Sequence, residues 1–397
     1  MRRKQSRLAF ILSKKDLSYF AILLLLTLIF FGKVIFAPRN VVLGSPDYDI
    51  RSLFFAWRWF GFHNLAQGIL PLWNPYVFSG LPFMAGMQSA LFYPLNFLYL
   101  ILPTHFAINY SIILHFFLSG VFFYYFIRYL NIERFSAFIS SLIYMFAATQ
   151  VGRIYAGHLT VLSTIIWIPL LFLFLEKYFR EDGFLYIILA GLILALQILA
   201  GYIQVVFYTA IGLFLYFLFR TTVLYREKRR AKLLVRHSLA FIVLVASGFL
   251  LSALQLIPTL ELVQHSIRQA ATYDFYASFS FPPENLITLF TPEIFGNNIA
   301  LTYWGRGNFW EMSAYLGILP LILVLIAIIF RRDKYTSFFA GLAILSIVLA
   351  LGRYTPLFKF LYSYVPGFNL FRGNSKFIFL TTFSLATLSG FGIQVLL

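Results

Sequence analysis

Long apolar runs alternate along this chain with shorter polar connections, and the runs have about the twenty residues needed to cross a bilayer core. Read by this pattern, the sequence predicts ten spans, at 17–37, 105–129, 136–150, 159–175, 184–200, 202–219, 239–257, 312–330, 337–351 and 377–397. The segment 90–103, "ALFYPLNFLYLILP", is too short and too Pro-broken to cross and reads as re-entrant or interfacial. Three long connections, 38–104, 258–311 and 352–376, hold most of the unusual polar residues, whereas the connections on the other side are short and basic. Neither a fixed-period repeat nor a flexible linker divides the chain, which predicts a single transmembrane domain over 1–397. The sequence stops inside an apolar run, "GFGIQVLL", with no basic cap, which predicts a further C-terminal part.

The first long connection has its own periodicity, in "GSPDYDIRSLFFAWRW". Ser45 followed by Pro46 is a good N-cap and first-turn pair, so a helix is expected from there toward Asn64. At about 100° per residue, Ile50, Leu53, Phe54, Trp57, Phe60 and Gly61 share one face, and Asp47, Arg51 and Arg58 share another. Such a helix lies in the membrane interface. Asp49 stands about 200° from Asp47 on this wheel, at the margin of the apolar face. Carboxylates that point apart cannot serve one substrate as an acid and base pair, so at most one of the two acts.

Composition agrees with the pattern: of 397 residues 61% are hydrophobic and 11% charged, with a mean hydropathy of +0.83, which marks a polytopic membrane protein. The absence of cysteine removes disulfides, thiolate nucleophiles and Cys-ligated metal. The six histidines have no paired ligand spacing, and no phosphate-binding glycine loop, dinucleotide fingerprint or nucleophile elbow is present. A net charge of +17 raises nucleic acid as a partner, yet the basic residues are scattered between apolar runs, as membrane topology requires. With ten spans, 20 of the 31 Lys and Arg fall on the side of the N-terminus, which predicts a cytoplasmic N-terminus and places Asp47 and Asp49 outside the cell membrane.

"DIRSLFFAWRW" followed by "GILPLWNPYVFSGLPFMAGMQSALFYPLN" resembles the first external loop of bacterial YfhO-type membrane proteins, relatives of the GT-C glycosyltransferases. The resemblance continues through "AGHLTVLSTIIWIPLLFLFLEK", "AGYIQVVFYTAIG", "WEMSAYLGILPLILVL" and "NLFRGNSKFIFLTTFSLATLSGFGI", and so covers almost the whole chain. It implies an all-α, GT-C-like bundle of about ten transmembrane helices with an interfacial helix in the first external loop. It also implies transfer of a sugar from a polyprenyl-phosphate donor to a cell-envelope glycan or polymer, such as a teichoic-type polymer. An acid in the first external loop would serve as base; register against "WR" puts it at Asp49, with Asp47 as the alternative. The chain departs from the family pattern in carrying Arg51, Ser52, Phe54 and Phe55 after that acid.

One base suffices for this chemistry, because a polyprenyl phosphate is already a good leaving group, and direct displacement would invert the anomeric centre. The leaving phosphate calls for cations. Arg372 and Lys376 in "FRGNSKF" are spaced one helical turn apart and are the first candidates, followed by Arg51, Arg58 and Arg306. Glu311 matches a family position and is a second acidic candidate, for which a structural pairing, with Arg306 for example, is as good a reading as a catalytic task. His158 and Gln204 also match family positions, where each either touches the sugar or satisfies buried backbone. The resemblance leaves a divalent ion, held by Asp49, Glu311 and water, open. The rival from another class is a transporter or lipid flippase, which would place ionisable residues inside several spans instead of at their outer edge.

Overall fold

The computed structural model describes residues 14–36, 41–45, 47–266 and 271–397. The N-terminal basic cluster before Lys14 and the proposed N1 residue Pro46 lie outside the described residues. An apolar segment in lipid must satisfy its own backbone, and the apolar runs accordingly form helices. In chain order the principal ones are α1 (Lys14–Phe30), α2 (Phe55–Ala66), α3 (Thr104–Tyr129), α4 (Arg134–Met145), α5 (Ala148–Tyr155), α6 (Leu159–Ile165), α7 (Ile168–Glu181) and α8 (Leu185–Leu199). They continue as α9 (Ile203–Lys228), α10 (Lys232–Leu251), α11 (Ala253–Gln264), α12 (Ile318–Phe330), α13 (Lys334–Ala350), α14 (Pro356–Tyr364) and α15 (Ile378–Leu396). Among the described residues, six helical stretches are long and apolar enough to cross a membrane: 104–129, 134–155, 159–181, 203–228, 232–251 and 374–396. The apolar helices α8, α12 and α13 are shorter. The protein is thus an all-α polytopic membrane protein, with one two-stranded ribbon among the described residues, β1 (Trp73–Asn74) and β2 (Leu81–Pro82), in which Trp73 pairs with Pro82.

Local chemistry sets the boundaries. Asp333 caps α13 by accepting hydrogen bonds from the Tyr335 and Thr336 amides, at 2.9 and 2.8 Å. Pro169 and Pro356 occupy first turns, where a missing N–H costs nothing. The Pro-broken segment 90–103 forms one-turn pieces at Pro94–Phe97 and Leu98–Ile101, in agreement with its exclusion as a span. It is tied down by Tyr93, whose hydroxyl meets His115 at 2.9 Å and accepts from the Trp167 indole at 3.1 Å.

Helix α15 runs through the middle of the bundle and is buried along nearly all its length. Its hydroxyls are spent on neighbours: Thr382 accepts from Thr149, Thr381 pairs with Ser346, and Ser389 donates to the Pro320 carbonyl. A second, smaller apolar cluster, including Tyr208, Tyr276, Phe281, Met312, Phe358 and Phe377, lies under the second and third long connections. A polar site is assembled where these connections meet the ends of α5, α6 and α15.

Candidate functional site

The helix expected from Ser45 has a different form. Residues Ile50–Phe54 make a π-helical turn before α2 begins at Phe55. A π turn inserts one extra residue, which rotates the downstream side chains by about 100° against a uniform wheel. Arg51 stays exposed, but Arg58 swings from the expected polar face into the core, where it is 2% exposed. Its Nη1 donates to the carbonyls of Gln88 at 3.0 Å and Ser89 at 2.5 Å, and its guanidinium lies over Phe54 and Tyr99. Burial pushes its pKa below the ordinary arginine value. Arg58 therefore fastens the first connection to itself, a correction to its expected place among the outer cations.

The same turn presents Asp49. Gly157 makes this possible: it adopts φ +71°, and a Cβ there would stand 2.7 Å from the Ile50 amide nitrogen, so the two backbones meet directly. His158 follows at once, and its Nε2 lies 3.2 Å from Asp49 Oδ2. On the other side of the ring, Arg153 Nη1 donates to His158 Nδ1 at 3.1 Å. Arginine can only donate, so Nδ1 is the unprotonated nitrogen and Nε2–H points at Asp49. Burial lowers the imidazole pKa, the Asp49 hydrogen bond opposes this, and the Arg153 charge reinforces it. The ring is a neutral bridge between a half-exposed carboxylate and a buried cation.

Arg153 Nη1 also donates to Glu311 Oε1 at 3.0 Å, and Lys376 Nζ reaches the same oxygen at 2.8 Å. All three side chains are less than a tenth exposed. Burial alone would raise the Glu311 carboxyl, but Lys376 and Arg153 overcome it and hold the group well below the usual carboxylate range. Glu311 is thus charged near neutral pH, which suits holding two cations and not proton exchange. Its expected partner Arg306 pairs instead with Glu284, Nε to Oε1 at 2.7 Å.

The pairing of Arg372 with Lys376 also differs from the helical spacing. Gly373 takes φ +84°, and a Cβ there would approach Lys376 Nζ to 2.7 Å. The helical stretch starts only at Asn374. The turn sends Lys376 inward to Glu311 and leaves Arg372 exposed, over the rings of Phe275 and Phe279. Gln204 secures the turn: its amide donates to the Arg372 and Gly373 carbonyls and to the Tyr208 hydroxyl.

Asp49, His158, Arg153, Glu311 and Lys376 form one continuous polar chain contributed by four distant parts of the sequence. Its termini differ, since Asp49 is half exposed and Lys376 is buried. Trp310 packs edge-on against His158 and Tyr48, with centroids at 6.0 and 4.5 Å. The buried donors Trp310 Nε1, Arg153 Nε and Ser375 Oγ have no partner among the described residues, which is unusual for polar atoms out of reach of water. Asp47 does not join the chain; it lines a largely apolar groove of about 580 Å³ with Phe30, Phe31, Ile154, Tyr155 and Leu301. Among the described residues, no three His, Asp or Glu side chains are grouped to hold a metal ion. A divalent ion shared by Asp49 and Glu311 would have to compete with Arg153 and Lys376 for the buried carboxylate.

Sequence reasoning passed over Arg153, although "GRIYAGH" carried a signal: an arginine at the mouth of an apolar helix, five residues before a histidine. Tyr48 and Trp310 had none beyond their aromatic character.

No curated protein matches the chain. The family model described as bacterial membrane protein YfhO matches residues 87–394, a stretch that includes Arg153, His158, Gln204, Glu311 and Lys376 and begins after Asp47 and Asp49. Since the match takes in well over half of its length, and the polar chain apart from Asp49 falls inside it, the chain belongs to the YfhO family of bacterial membrane proteins.

Proposed function

We propose that this protein is a GT-C-type membrane glycosyltransferase that moves a sugar from a polyprenyl-phosphate donor to a cell-envelope acceptor, such as a teichoic-type polymer, on the extracytoplasmic face. The observation that carries this reading is the polarity of the chain of side chains: an accessible carboxylate, Asp49, backed by a partly buried, neutral imidazole and a buried ion cluster. Ten helices cross the membrane in this reading, with the N-terminus in the cytoplasm, as the distribution of Lys and Arg favours.

Asp49 accepts the proton of the acceptor hydroxyl as that oxygen bonds to the anomeric carbon. The bond from the anomeric carbon to phosphate oxygen breaks in the same displacement, polyprenyl phosphate leaves, and the configuration inverts. His158 donates Nε2–H to the second face of the carboxylate and fixes its orientation, so that the base is weak but well placed. Arg51 and Arg372 are exposed and have no carboxylate partner among the described residues, which makes them the cations available to the leaving phosphate. The apolar groove beside Asp47 has a volume suited to the first isoprene units of the carrier.

The test is transfer of radiolabelled sugar from polyprenyl phosphate to envelope polymer in membranes carrying wild type or Asp49→Asn. Loss of transfer by two orders of magnitude or more is expected on the general-base scale, and full activity in the variant removes Asp49 from the mechanism.

A further inference from the structure

At the end of the bundle away from Asp49, a second groove of about 460 Å³ runs along α10, with Tyr178, Phe184, Lys232, Arg236, Leu239 and Val243 among its walls. The two ends of α10 are distinguishable: past Leu251, Gln255 donates to the Met84 carbonyl of the first long connection, so Lys232 marks the opposite end. Both cations of the groove lie on the first turns of α10, four residues apart and on one face, and the rest of the floor is apolar. The outward-facing residues of α10 include Val235, Leu239 and Ile242, each more than half exposed, so the groove opens sideways to whatever surrounds the apolar bundle.

Length identifies the occupant. From Arg236, the inner of the two cations, to Val243 the helix rises ~10 Å, and one leaflet of a bilayer is ~15 Å of hydrocarbon. A groove with cations at one end and an apolar wall that stays within one leaflet's depth matches a phospholipid standing in its own leaflet. Charge sets the headgroup class. Arg236 is bound to Asp182 at 2.8 Å, Lys232 has no carboxylate partner among the described residues, and the run Arg226, Lys228, Arg229 and Arg230 immediately precedes them. Two cations against one carboxylate favour a lipid with net negative charge over a zwitterion. We propose that this groove is a binding site for one anionic phospholipid, its phosphate between Lys232 and Arg236 and an acyl chain along Phe184, Leu239 and Val243.

The site is independent of the transferase reading and is tested without turnover. Full-length protein in neutral detergent is mixed with equal amounts of phosphatidylglycerol and phosphatidylethanolamine, and retained lipid is read by native mass spectrometry. Wild type should keep phosphatidylglycerol preferentially. Lys232→Ala and Arg236→Ala should each lower that retention roughly fivefold and leave phosphatidylethanolamine unchanged. Asp182→Asn should raise it, without backbone penalty, because residue 182 has φ +58° and asparagine tolerates that region. Lys359→Ala, at the opposite end, should change nothing. Equal retention of the two lipids by wild type, no effect of either cation variant, or an equal effect of Lys359→Ala overturns the proposal.

Discussion

A single buried carboxylate oxygen, Oε1 of Glu311, joins Arg153 to Lys376. Removing one partner from a buried ion pair leaves the other charge uncompensated, so Glu311→Gln should destabilise the fold by about 3 kcal/mol, read as a lower melting temperature in detergent. The folded carboxyl lies below its ordinary value of 4.5, so its contribution is complete above pH 4.5 and lost as pH falls through the lowered folded value. The gap in melting temperature between wild type and Glu311→Gln should therefore stay constant from pH 8 to pH 5 and close only in stronger acid. A gap that closed around pH 6 would mean the carboxyl is not held by its two cations. Glu311 itself was legible as an acid at a span edge that needs a partner; which partner was not. Its bond to Arg153 joins residues 158 apart in sequence, and local pattern offered the nearer Arg306 instead.

At the scale of elements, the apolar runs specified the helices and two backbone irregularities decided the site. A uniform 100° wheel could not anticipate the π turn at Ile50–Phe54, because such turns follow from tertiary packing and not from residue preference, and Arg58 was misplaced for that reason. Gly373 broke the helical spacing of Arg372 and Lys376 in the same way. Gly157 is the element-scale test, because Gly68 supplies a matched control. Both have φ near +70°, yet a Cβ at Gly68 meets nothing within 4 Å, whereas at Gly157 it meets the Ile50 backbone. Each alanine costs about 1 kcal/mol of backbone strain. Only Gly157→Ala must also push the Asp49 turn off His158, and a displacement of that kind lowers rate on the order of a hundredfold. Sugar transfer should fall for Gly157→Ala and survive in Gly68→Ala, and Gly157→Ala should also lose more melting temperature because of its clash with Ile50. Equal transfer by the two variants would show that the contact of Asp49 with His158 is not needed.

For the whole molecule, the decisive quantity is which face of the membrane Asp49 occupies. Several described acids at the end away from Asp49 are paired with neighbouring cations: Asp16 with Arg134, Glu176 with Arg180 and Arg220, Asp182 with Arg236, and Glu227 with Lys334. That end keeps a surplus of Lys and Arg, and positive charge is retained on the cytoplasmic side during insertion. On the proposed reading this puts the Asp49 end outward, where polyprenyl-linked sugars would have to be presented. The absence of cysteine makes this measurable without background. Ser52→Cys lies on the exposed side of the Asp49 turn and Arg230→Cys lies exposed between α9 and α10. In intact cells a membrane-impermeant maleimide should label the first and spare the second, and permeabilised cells should label both. The opposite pattern would put Asp49 in the cytoplasm, beside soluble nucleotide sugars. An outward-facing transfer from a lipid carrier would then be excluded, even though the chain of contacts from Asp49 to Lys376 would be unchanged.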